Sequence, residues 1–215
     1  MRIVIINSDA NHPINPFLDI LIDDLRIEHD VQLVRSQLEI SEGNVLFLVS
    51  CVEKISPDIL QIFDNTFVLH ASDLPMGRGW SPHIWQILEG KEEITISMLE
   101  ASEEIDAGAI WEKRKIHIPK DALWDEINQL LFFAEIDLIR YAIDNFKFLK
   151  VTKNNAHIEP TYYRKRTPVD SEIDITRPLN EQFDLLRVCD PNRYPPYFKI
   201  HGMKYKVIVE KIKDD

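Results

Sequence analysis

Apolar and polar positions along the first 150 residues follow a pattern that predicts strands separated by helices. Short apolar runs predict buried strands at 2–6, 31–34, 45–49, 66–69, 94–99 and 109–118. Apolar residues at helical spacing predict helices over 16–29, after Pro57, after Pro82 and from Asp121 to about Leu149. Strands that alternate with helices form a mostly parallel sheet with helices on both faces, so we expect an α/β fold.

Local signals refine the ends of these helices. Ser56 before Pro57, and Asp121 before the longest helix, are typical of N-terminal caps. Gly90 should end the helix that begins at Pro82. We expect one apolar face on that helix, made by Ile84, Trp85 and Leu88. The stripe expected on the longest helix consists of Leu123, Ile127, Leu130, Ala134, Leu138 and Tyr141.

The pattern changes after residue 150. Lys153-Asn154-Asn155 is typical of a linker or turn, and residues 161–174 are polar and rich in arginine. Residues 181–188 could form a short helix, and residues 197–209 predict a β-hairpin that turns at His201-Gly202. We therefore predict a main domain over residues 1–150 and a small C-terminal extension over residues 151–215 that ends in a hairpin.

Composition restricts the classes of protein. The net charge of −11 argues against nonspecific nucleic-acid binding, which needs clustered Lys and Arg, although Arg164-Lys165-Arg166 is a local basic patch. Two cysteines, Cys51 and Cys189, do not make a disulfide framework. The longest apolar run, 45–52, is too short to span a bilayer, and the amino terminus lacks a secretory pattern. A cytoplasmic protein with no nucleic-acid or membrane partner is the simplest interpretation.

Two residues carry the strongest chemical signal. His70 ends one apolar run, and Asp106 lies in the loop between the last two predicted strands of the main domain. Ligands of α/β sheets bind beyond the carboxyl ends of the strands, where Asn7, Ser50 and Cys51 are also expected. One histidine and one carboxylate at that edge can act as an acid–base pair, so we predict an enzyme.

Other chemistries lack their motifs in this sequence. The remaining histidines show no metal-ligand spacing and there is no Cys-x-x-Cys, so no metal site is predicted. Gly77-Arg78-Gly79 is not a dinucleotide fingerprint, and neither a Walker loop nor a Gly-x-Ser-x-Gly elbow occurs.

Residues 45–118 resemble the folate-dependent formyltransferases, a family that includes enzymes acting on glycinamide ribonucleotide, methionyl-tRNA and nucleotide sugars. The family pattern is His-x-Ser-Leu-Leu-Pro, then Arg-Gly, a Gly-x-Thr-like strand and Asp-x-Gly-x-Ile. This chain has His70-Ala71-Ser72-Asp73-Leu74-Pro75, Arg78-Gly79, Ile94-Thr95-Ile96 and Asp106-Ala107-Gly108-Ala109-Ile110. The resemblance implies a Rossmann-like fold, with His70 and Asp106 as the catalytic pair and 10-formyltetrahydrofolate as the formyl donor.

The same resemblance implies a binding site for the pterin ring of the donor. Residues 50–57 resemble the segment that holds this ring, so Cys51, Val52 and Ile55 are expected to line its pocket. The other wall is expected from Glu103, Glu104 and Ile105 together with Asp106. A flat ring in an apolar slot with backbone partners is a common kind of cofactor site.

One position departs from the family pattern, which has an asparagine two residues before the histidine to help hold the oxyanion. Val68 occupies that position here. Asn65 has the wrong strand parity to replace it, and Asn7 is another conceivable substitute. Because losing one oxyanion donor typically costs about 10²–10³ in rate, an active protein is expected to use an alternative donor.

The C-terminal segments, 162–174 and 186–195, resemble the branch of the family that formylates amino sugars for surface glycans such as lipopolysaccharide. We therefore expect an N-formyltransferase acting on a nucleotide-linked amino deoxysugar. Methionyl-tRNA or glycinamide ribonucleotide formyltransferases, or a degenerate folate or nucleotide-sugar binding module, remain alternatives. The final hairpin could pair across a homodimer. Candidate substrate-binding residues are Ser72, Arg78, Trp80, Arg187 and Tyr194.

Overall fold

The computed structural model describes residues 1–151 and 158–212. Their strands are β1 (Arg2–Ile6), β2 (Asp30–Val34), β3 (Val45–Leu48), β4 (Asn65–His70), β5 (Arg78–Gly79), β6 (Glu93–Glu100), β7 (Ile110–His117), β8 (Tyr162–Tyr163), β9 (Tyr197–Ile200) and β10 (Met203–Lys206). Their helices are α1 (Asn15–Leu25), α2 (Pro57–Leu60), α3 (Pro82–Leu88), α4 (Trp124–Asp144) and α5 (Phe183–Arg187). All six strands predicted for the main domain are confirmed.

The main sheet has the order β2-β1-β3-β4-β6-β7. The strands β2, β1, β3 and β4 are parallel, whereas β6 and β7 join as antiparallel neighbours. The parallel strands place Asn7, Val49 and His70 at one edge of the sheet. Because β6 runs the other way, its last residue, Glu100, lies beside Phe67 rather than beyond His70. The loop of residues 101–109 must therefore fold back to bring Asp106 to His70, which strand ends alone do not predict.

Alternation along the central strands divides the core into two parts, one on each face of the sheet. Ile3 and Ile5 belong to a large cluster that packs against α1 and α4. Val4 and Ile6 face the opposite side and belong to a smaller cluster that includes Ile55 and Phe63. The smaller cluster is covered by short elements, since α2 is a single turn.

Several helix ends differ from the sequence-based expectation. Helix α1 ends at Leu25 rather than near residue 29, and α4 ends at Asp144 rather than near Leu149. Ser56 occupies the predicted N-cap position of α2, although its side chain makes no cap hydrogen bond, whereas α4 begins after Leu123 rather than after Asp121. The first turn of α4 is held instead by Glu126, whose carboxylate accepts a 2.8 Å hydrogen bond from the backbone N–H of Leu123.

Asp121 lies two residues before the cap position of α4 and makes a different contact. Its carboxylate accepts a hydrogen bond of 3.0 Å from Lys211, which also contacts Glu126. In α3, Ile84 and Leu88 of the predicted apolar face pack against the large cluster, together with the buried Ile87. The third predicted residue, Trp85, instead stacks on Tyr163.

The C-terminal residues lie against the main sheet domain at several points. Strand β8 pairs in parallel with β5, and α5 contacts α3. The predicted hairpin is confirmed as β9 and β10, although β10 ends at Lys206 rather than at residue 209. The expected linker at Lys153-Asn154-Asn155 lies outside the described residues, and the division at residue 150 stays a prediction. Both cysteines are free thiols. Among the described residues, no helix is long and apolar enough to cross a bilayer.

Candidate active site

His70 is the last residue of β4, and its ring is buried. The Nε2 atom lies 2.9 Å from the carbonyl oxygen of Gly77. Because a carbonyl can only accept, this contact requires a proton on Nε2. The other ring nitrogen, Nδ1, faces the Oδ1 atom of Asp106 at 3.4 Å. A proton that reaches Nδ1 would therefore complete an ion pair with the carboxylate.

Asp106 is held in the loop that folds back from β6. Its backbone has φ of 55°, in the left-handed region that aspartate tolerates better than most residues. The second carboxylate oxygen, Oδ2, accepts a hydrogen bond of 2.9 Å from the backbone N–H of Gly79. Only 7% of the Asp106 side chain and 8% of the His70 side chain is exposed. The two residues that the sequence singles out thus form one buried pair.

The tight path of the loop at residue 108 depends on glycine. A Cβ atom at Gly108 would lie 1.9 Å from the carbonyl oxygen of Glu100. The absence of a side chain lets the loop pass directly against the end of β6, and so lets Asp106 return toward His70.

The segment that follows His70 is fixed by side chains from several elements. Gln86 donates to the carbonyl of Ala71 at 2.9 Å, and the Ser97 hydroxyl donates to the carbonyl of Ser72 at 2.7 Å. Lys113 contacts the carbonyl of Leu74 at 2.9 Å. The turn at Leu74-Pro75 contains a cis peptide bond. The Ser72 side chain is buried, and its hydroxyl has no hydrogen-bond partner among the described residues.

His83 is a second histidine close to the pair, and sequence reasoning gave it no role. Removal from water lowers its pKa to about 4, and the positive charge of Arg166 acts in the same direction. Its ring is therefore neutral at pH 7. The only sequence signal is its place directly after Ser81-Pro82, at the start of α3.

The segments expected to hold a pterin ring border one apolar cluster. Cys51, Val68 and Ala101 all pack against the smaller core cluster, to which Ile55 belongs. Val52 is 66% exposed, and its backbone N–H donates to the Ser8 hydroxyl at 2.9 Å. Burial raises the pKa of the Cys51 thiol, so the thiol stays protonated at pH 7. Ile55 is buried within the cluster, so it lies beneath these residues rather than at the surface.

The opposite segment, residues 103–105, is exposed. Ile105 is 66% exposed, and Glu104 accepts a hydrogen bond of 2.7 Å from Arg78. Each of the two segments expected to hold the pterin ring thus has one exposed apolar side chain, Val52 on the first and Ile105 on the second.

The missing asparagine has no obvious replacement. Val68 is half-buried and packs between the smaller core cluster and a third cluster that contains Leu99. The amide of Asn7 already donates to the Val49 carbonyl at 3.0 Å, and its oxygen accepts from Arg35 at 3.1 Å. Asn65 is the first residue of β4, about 16 Å from His70 at 3.3 Å per residue.

The predicted substrate-binding residues Arg78, Trp80, Tyr194 and Arg187 lie in three different settings. Arg78 and Trp80 flank Gly79 beside the pair; Trp80 is partly exposed, and Lys165 lies 4.4 Å from the centre of its ring. Tyr194 is exposed, and the guanidinium of Arg193 lies 5.6 Å from the centre of its ring. Arg187 is different because it is only 2% exposed and its guanidinium binds Asp184 and two backbone carbonyls. These internal bonds indicate a structural role for Arg187 rather than contact with a substrate.

No group of His, Cys, Asp or Glu among residues 1–151 and 158–212 could hold a metal ion. A Rossmann-like sheet with a buried His–Asp pair at a strand end is typical of enzymes that transfer groups or protons. A family model described as formyl transferase matches residues 24–143, more than half of the chain. The protein therefore belongs to the formyl transferase family.

A curated relative and three solved structures illustrate the likeness. The methionyl-tRNA formyltransferase of Roseiflexus castenholzii is 26% identical over 166 residues, 76% of this chain and 52% of the relative. The chain thus spans about half the length of that relative. A methionyl-tRNA formyltransferase from Clostridium thermocellum has a TM-score of 0.83 at 20% identity, covering 99% of this chain and 94% of the other.

Two further solved structures share the fold. A 4-N formyltransferase from Francisella tularensis has a TM-score of 0.73 at 20% identity and covers 99% of this chain and 98% of its own. HypX from Aquifex aeolicus, in complex with tetrahydrofolic acid, has a TM-score of 0.80 at 18% identity. The match covers 97% of this chain and 37% of HypX. At these identities the structures establish the fold and leave the substrate open.

Proposed function

We propose that this protein is an N-formyltransferase that moves a formyl group from 10-formyltetrahydrofolate to the amine of a nucleotide-linked amino deoxysugar. The observation that carries the proposal is the buried His70–Asp106 pair, held at a strand end in a chain of the formyl transferase family. A role in surface-glycan synthesis follows from the sugar acceptor.

Formyl transfer requires a proton transfer and the stabilisation of an oxyanion, and the His70–Asp106 pair can contribute to both. The acceptor nitrogen forms a bond to the formyl carbon, the bond from that carbon to N10 of the folate breaks, and one amine proton ends on N10. His70 can exchange this proton or stabilise the developing oxyanion, and Asp106 stabilises the imidazolium form of His70. Burial strengthens both effects because water does not screen the charges.

The donor is proposed to bind between residues 51–55 and 103–106. Val52 and Ile105 present exposed apolar side chains there, and Val68 and Ala101 pack on the cluster below. The tetrahydrofolic acid bound to HypX, a protein of the same fold, supports a folate donor for this chain.

The acceptor is proposed to bind beside Gly79. Trp80 and Tyr162 are large exposed aromatic residues, and Lys165 and Arg78 bring positive charge to them in a chain with net charge −11. A nucleobase can stack on an exposed ring while a diphosphate contacts the cations. Ser72 lies close to Gly77, but it is only 1% exposed, so the structure does not present its hydroxyl to the sugar as the sequence predicted.

A second candidate acceptor is methionyl-tRNA, which the methionyl-tRNA formyltransferase relatives favour. The acidic charge counts against it, because binding tRNA requires an extended basic surface. Glycinamide ribonucleotide is a weaker candidate, since it assigns no role to residues 161–197. A degenerate binding module is suggested only by Val68, and the intact His–Asp pair counts against it.

The test is mass spectrometry of reactions that contain 10-formyltetrahydrofolate and a panel of UDP-, dTDP-, GDP- and CMP-linked amino sugars. Methionyl-tRNA and glycinamide ribonucleotide are included in the panel. We expect one nucleotide sugar to gain a formyl group, and His70→Ala to abolish the gain. His117→Ala, at an exposed residue on β7, is the matched control and should keep full activity. Formylation of tRNA alone would reject the sugar acceptor.

Dimer formation is a separate part of the proposal. All four residues of β10 are exposed, and one edge of this strand is unpaired in the described residues. Such an edge can pair with a second copy of itself. Light scattering should give twice the mass of one chain, and a monomeric mass would reject this pairing.

A further inference from the structure

A short C-terminal strand holds the loop next to the catalytic pair. Strand β8 pairs in parallel with β5, with Arg78 opposite Tyr162 and Gly79 opposite Tyr163. The backbone N–H of Arg78 donates to the carbonyl of Thr161 at 2.9 Å, and that of Trp80 donates to the carbonyl of Tyr163 at 3.1 Å. The hydroxyl of Thr161 also accepts a hydrogen bond of 2.8 Å from the backbone N–H of Gly77.

The same three-residue segment, 77–79, contacts both members of the pair. The Gly77 carbonyl accepts from His70, and the Gly79 N–H donates to Asp106. Each peptide group that orients a catalytic side chain therefore belongs to a segment whose other backbone hydrogen bonds go to residues 161–163. Displacement of this segment would move the partners of His70 and Asp106 together.

The strand is itself anchored to α3. The ring of Tyr163 stacks on Trp85 with 6.2 Å between ring centroids and an interplanar angle of 11°. The Tyr163 hydroxyl donates to Glu89 at 2.8 Å, and burial together with Glu89 raises the pKa of Tyr163 to about 12, so the phenol keeps its proton. The indole N–H of Trp85 donates to the carbonyl of Arg164 at 3.0 Å.

The contact between the two strands leaves little free space. A Cβ atom at Gly79 would lie 2.3 Å from the carbonyl oxygen of Tyr163, and one at Gly77 would lie 3.1 Å from the Tyr163 ring. Both glycines also have positive φ, 76° at Gly77 and 98° at Gly79, a conformation that would be strained for a residue with a side chain. Tight packing and hydrogen bonds thus determine the position of residues 77–79 from the C-terminal side.

We propose that Thr161 is a positioning residue, which acts through Gly77 to hold His70 and Asp106 in their mutual geometry. The kinetic test of this inference rests on the proposed function, because it measures formyl transfer. The spectroscopic test needs only the folded protein. Thr161 touches neither member of the pair. Its effect passes through the Gly77 peptide, whose N–H it binds and whose carbonyl binds His70.

The experiment compares Thr161→Val, which keeps the shape but removes the acceptor, with Thr161→Ser, which keeps the hydroxyl. Losing one hydrogen bond predicts a kcat about 3- to 10-fold lower for the valine variant, with KM for both substrates within about twofold of wild type. The serine variant should recover kcat to within about twofold. Thr176→Val is the matched control, because the Thr176 hydroxyl bonds only within its own exposed loop.

A spectroscopic measurement tests the same geometry without turnover. In ¹⁵N-histidine-labelled protein, with His70 assigned from the spectrum of His70→Ala, the Nε2–H resonance of His70 should shift in Thr161→Val and return in Thr161→Ser. An unchanged resonance together with unchanged kcat would overturn the proposal, as would equal losses in the valine and serine variants. If the wild type transfers no formyl group to any acceptor, the proposed function is rejected. The positioning role of Thr161 is still tested in that case, by the His70 resonance in the valine and serine variants.

Discussion

Two regions of this molecule bury ionisable side chains, and they treat them differently. At the end of β4, His70 and Asp106 face each other and each bonds to a peptide group of residues 77–79. Away from this site, Arg187 at the end of α5 binds two backbone carbonyls that precede α4, and Glu135 within α4 has a carboxylate oxygen without a hydrogen-bond partner in the described residues. Burial alone therefore does not identify a catalytic group.

The difference lies in what surrounds each group. The His70–Asp106 pair can share or exchange a proton and lies beside exposed residues that could contact ligands. Arg187 is saturated by its internal bonds. Glu135 is only 6% exposed, and burial raises its pKa to about 8, so it is largely protonated and neutral at pH 7. Substitutions in the first region should affect catalysis, and those in the second should affect stability.

The largest effect is expected from Asp106→Asn. The asparagine oxygen can still accept from the Gly79 N–H, but it carries no charge to stabilise a protonated His70. We expect kcat to fall about 10²- to 10⁴-fold, the usual contribution of a positioned acid–base group, with little change in Tm. Steady-state kinetics and thermal unfolding measure the two quantities.

Glu135→Gln provides the matched control because it makes the same acid-to-amide change in the other region. Its kcat should equal that of the wild type. A comparable loss of activity in both variants would remove the distinction between the two regions.

The sequence predicts the six strands and the two catalytic candidates, because both depend on local patterns. Alternation of apolar residues identifies the strands, and the motifs around His70 and Asp106 identify the site. What it missed depends on long-range contacts. The antiparallel direction of β6, the return of the 101–109 loop and the pairing of β8 with β5 are set by partners far along the chain.

Arg187 shows the same limit. An arginine is by default an exposed residue, and although Leu186 and Val188 flank Arg187, nothing local indicates that its side chain reaches Pro119 and Ala122. The cap predicted at Asp121 was wrong, whereas Ser56 does occupy the predicted cap position. The Asp121 carboxylate contacts Lys211, far along the chain, and Glu126 bonds to the first turn of α4 instead.

Arg187→Met is expected to lower the free energy of unfolding by about 3 kcal/mol. The variant keeps much of the buried volume but leaves the carbonyls of Pro119 and Ala122 without their donor, and unpaired buried polar groups are costly. Urea unfolding measures the change. The folate affinity of the folded variant should match that of the wild type, and a selective loss of nucleotide-sugar binding would instead restore Arg187 as a substrate ligand.

Glu135 should make stability depend on pH. Its folded pKa of about 8 exceeds the ordinary value of 4.5, so the folded state retains a proton that the unfolded state releases. The stabilisation is complete when the pH is below the pKa of Glu135 in the unfolded state, and it is lost as the pH rises through the pKa in the folded state. Relative to Glu135→Gln, the wild type should lose about 2 kcal/mol of unfolding free energy between pH 5 and pH 7. Equal pH profiles for the two proteins would show that Glu135 is ionised in the folded state.

The smallest effect is expected from Val68→Asn, which restores the amide that the family pattern has at this position. Val68 lies on the same face of β4 as His70, two residues away, so an amide there would point toward the same site. We expect kcat to rise about 10-fold, less than the 10²–10³ of an evolved oxyanion donor, because the surrounding residues pack against valine. Val68→Ala removes the same packing without adding a donor and serves as the control. If the asparagine variant is no faster than the alanine variant, the oxyanion already has a donor elsewhere, and Val68 marks a different arrangement of the site rather than a weakened one.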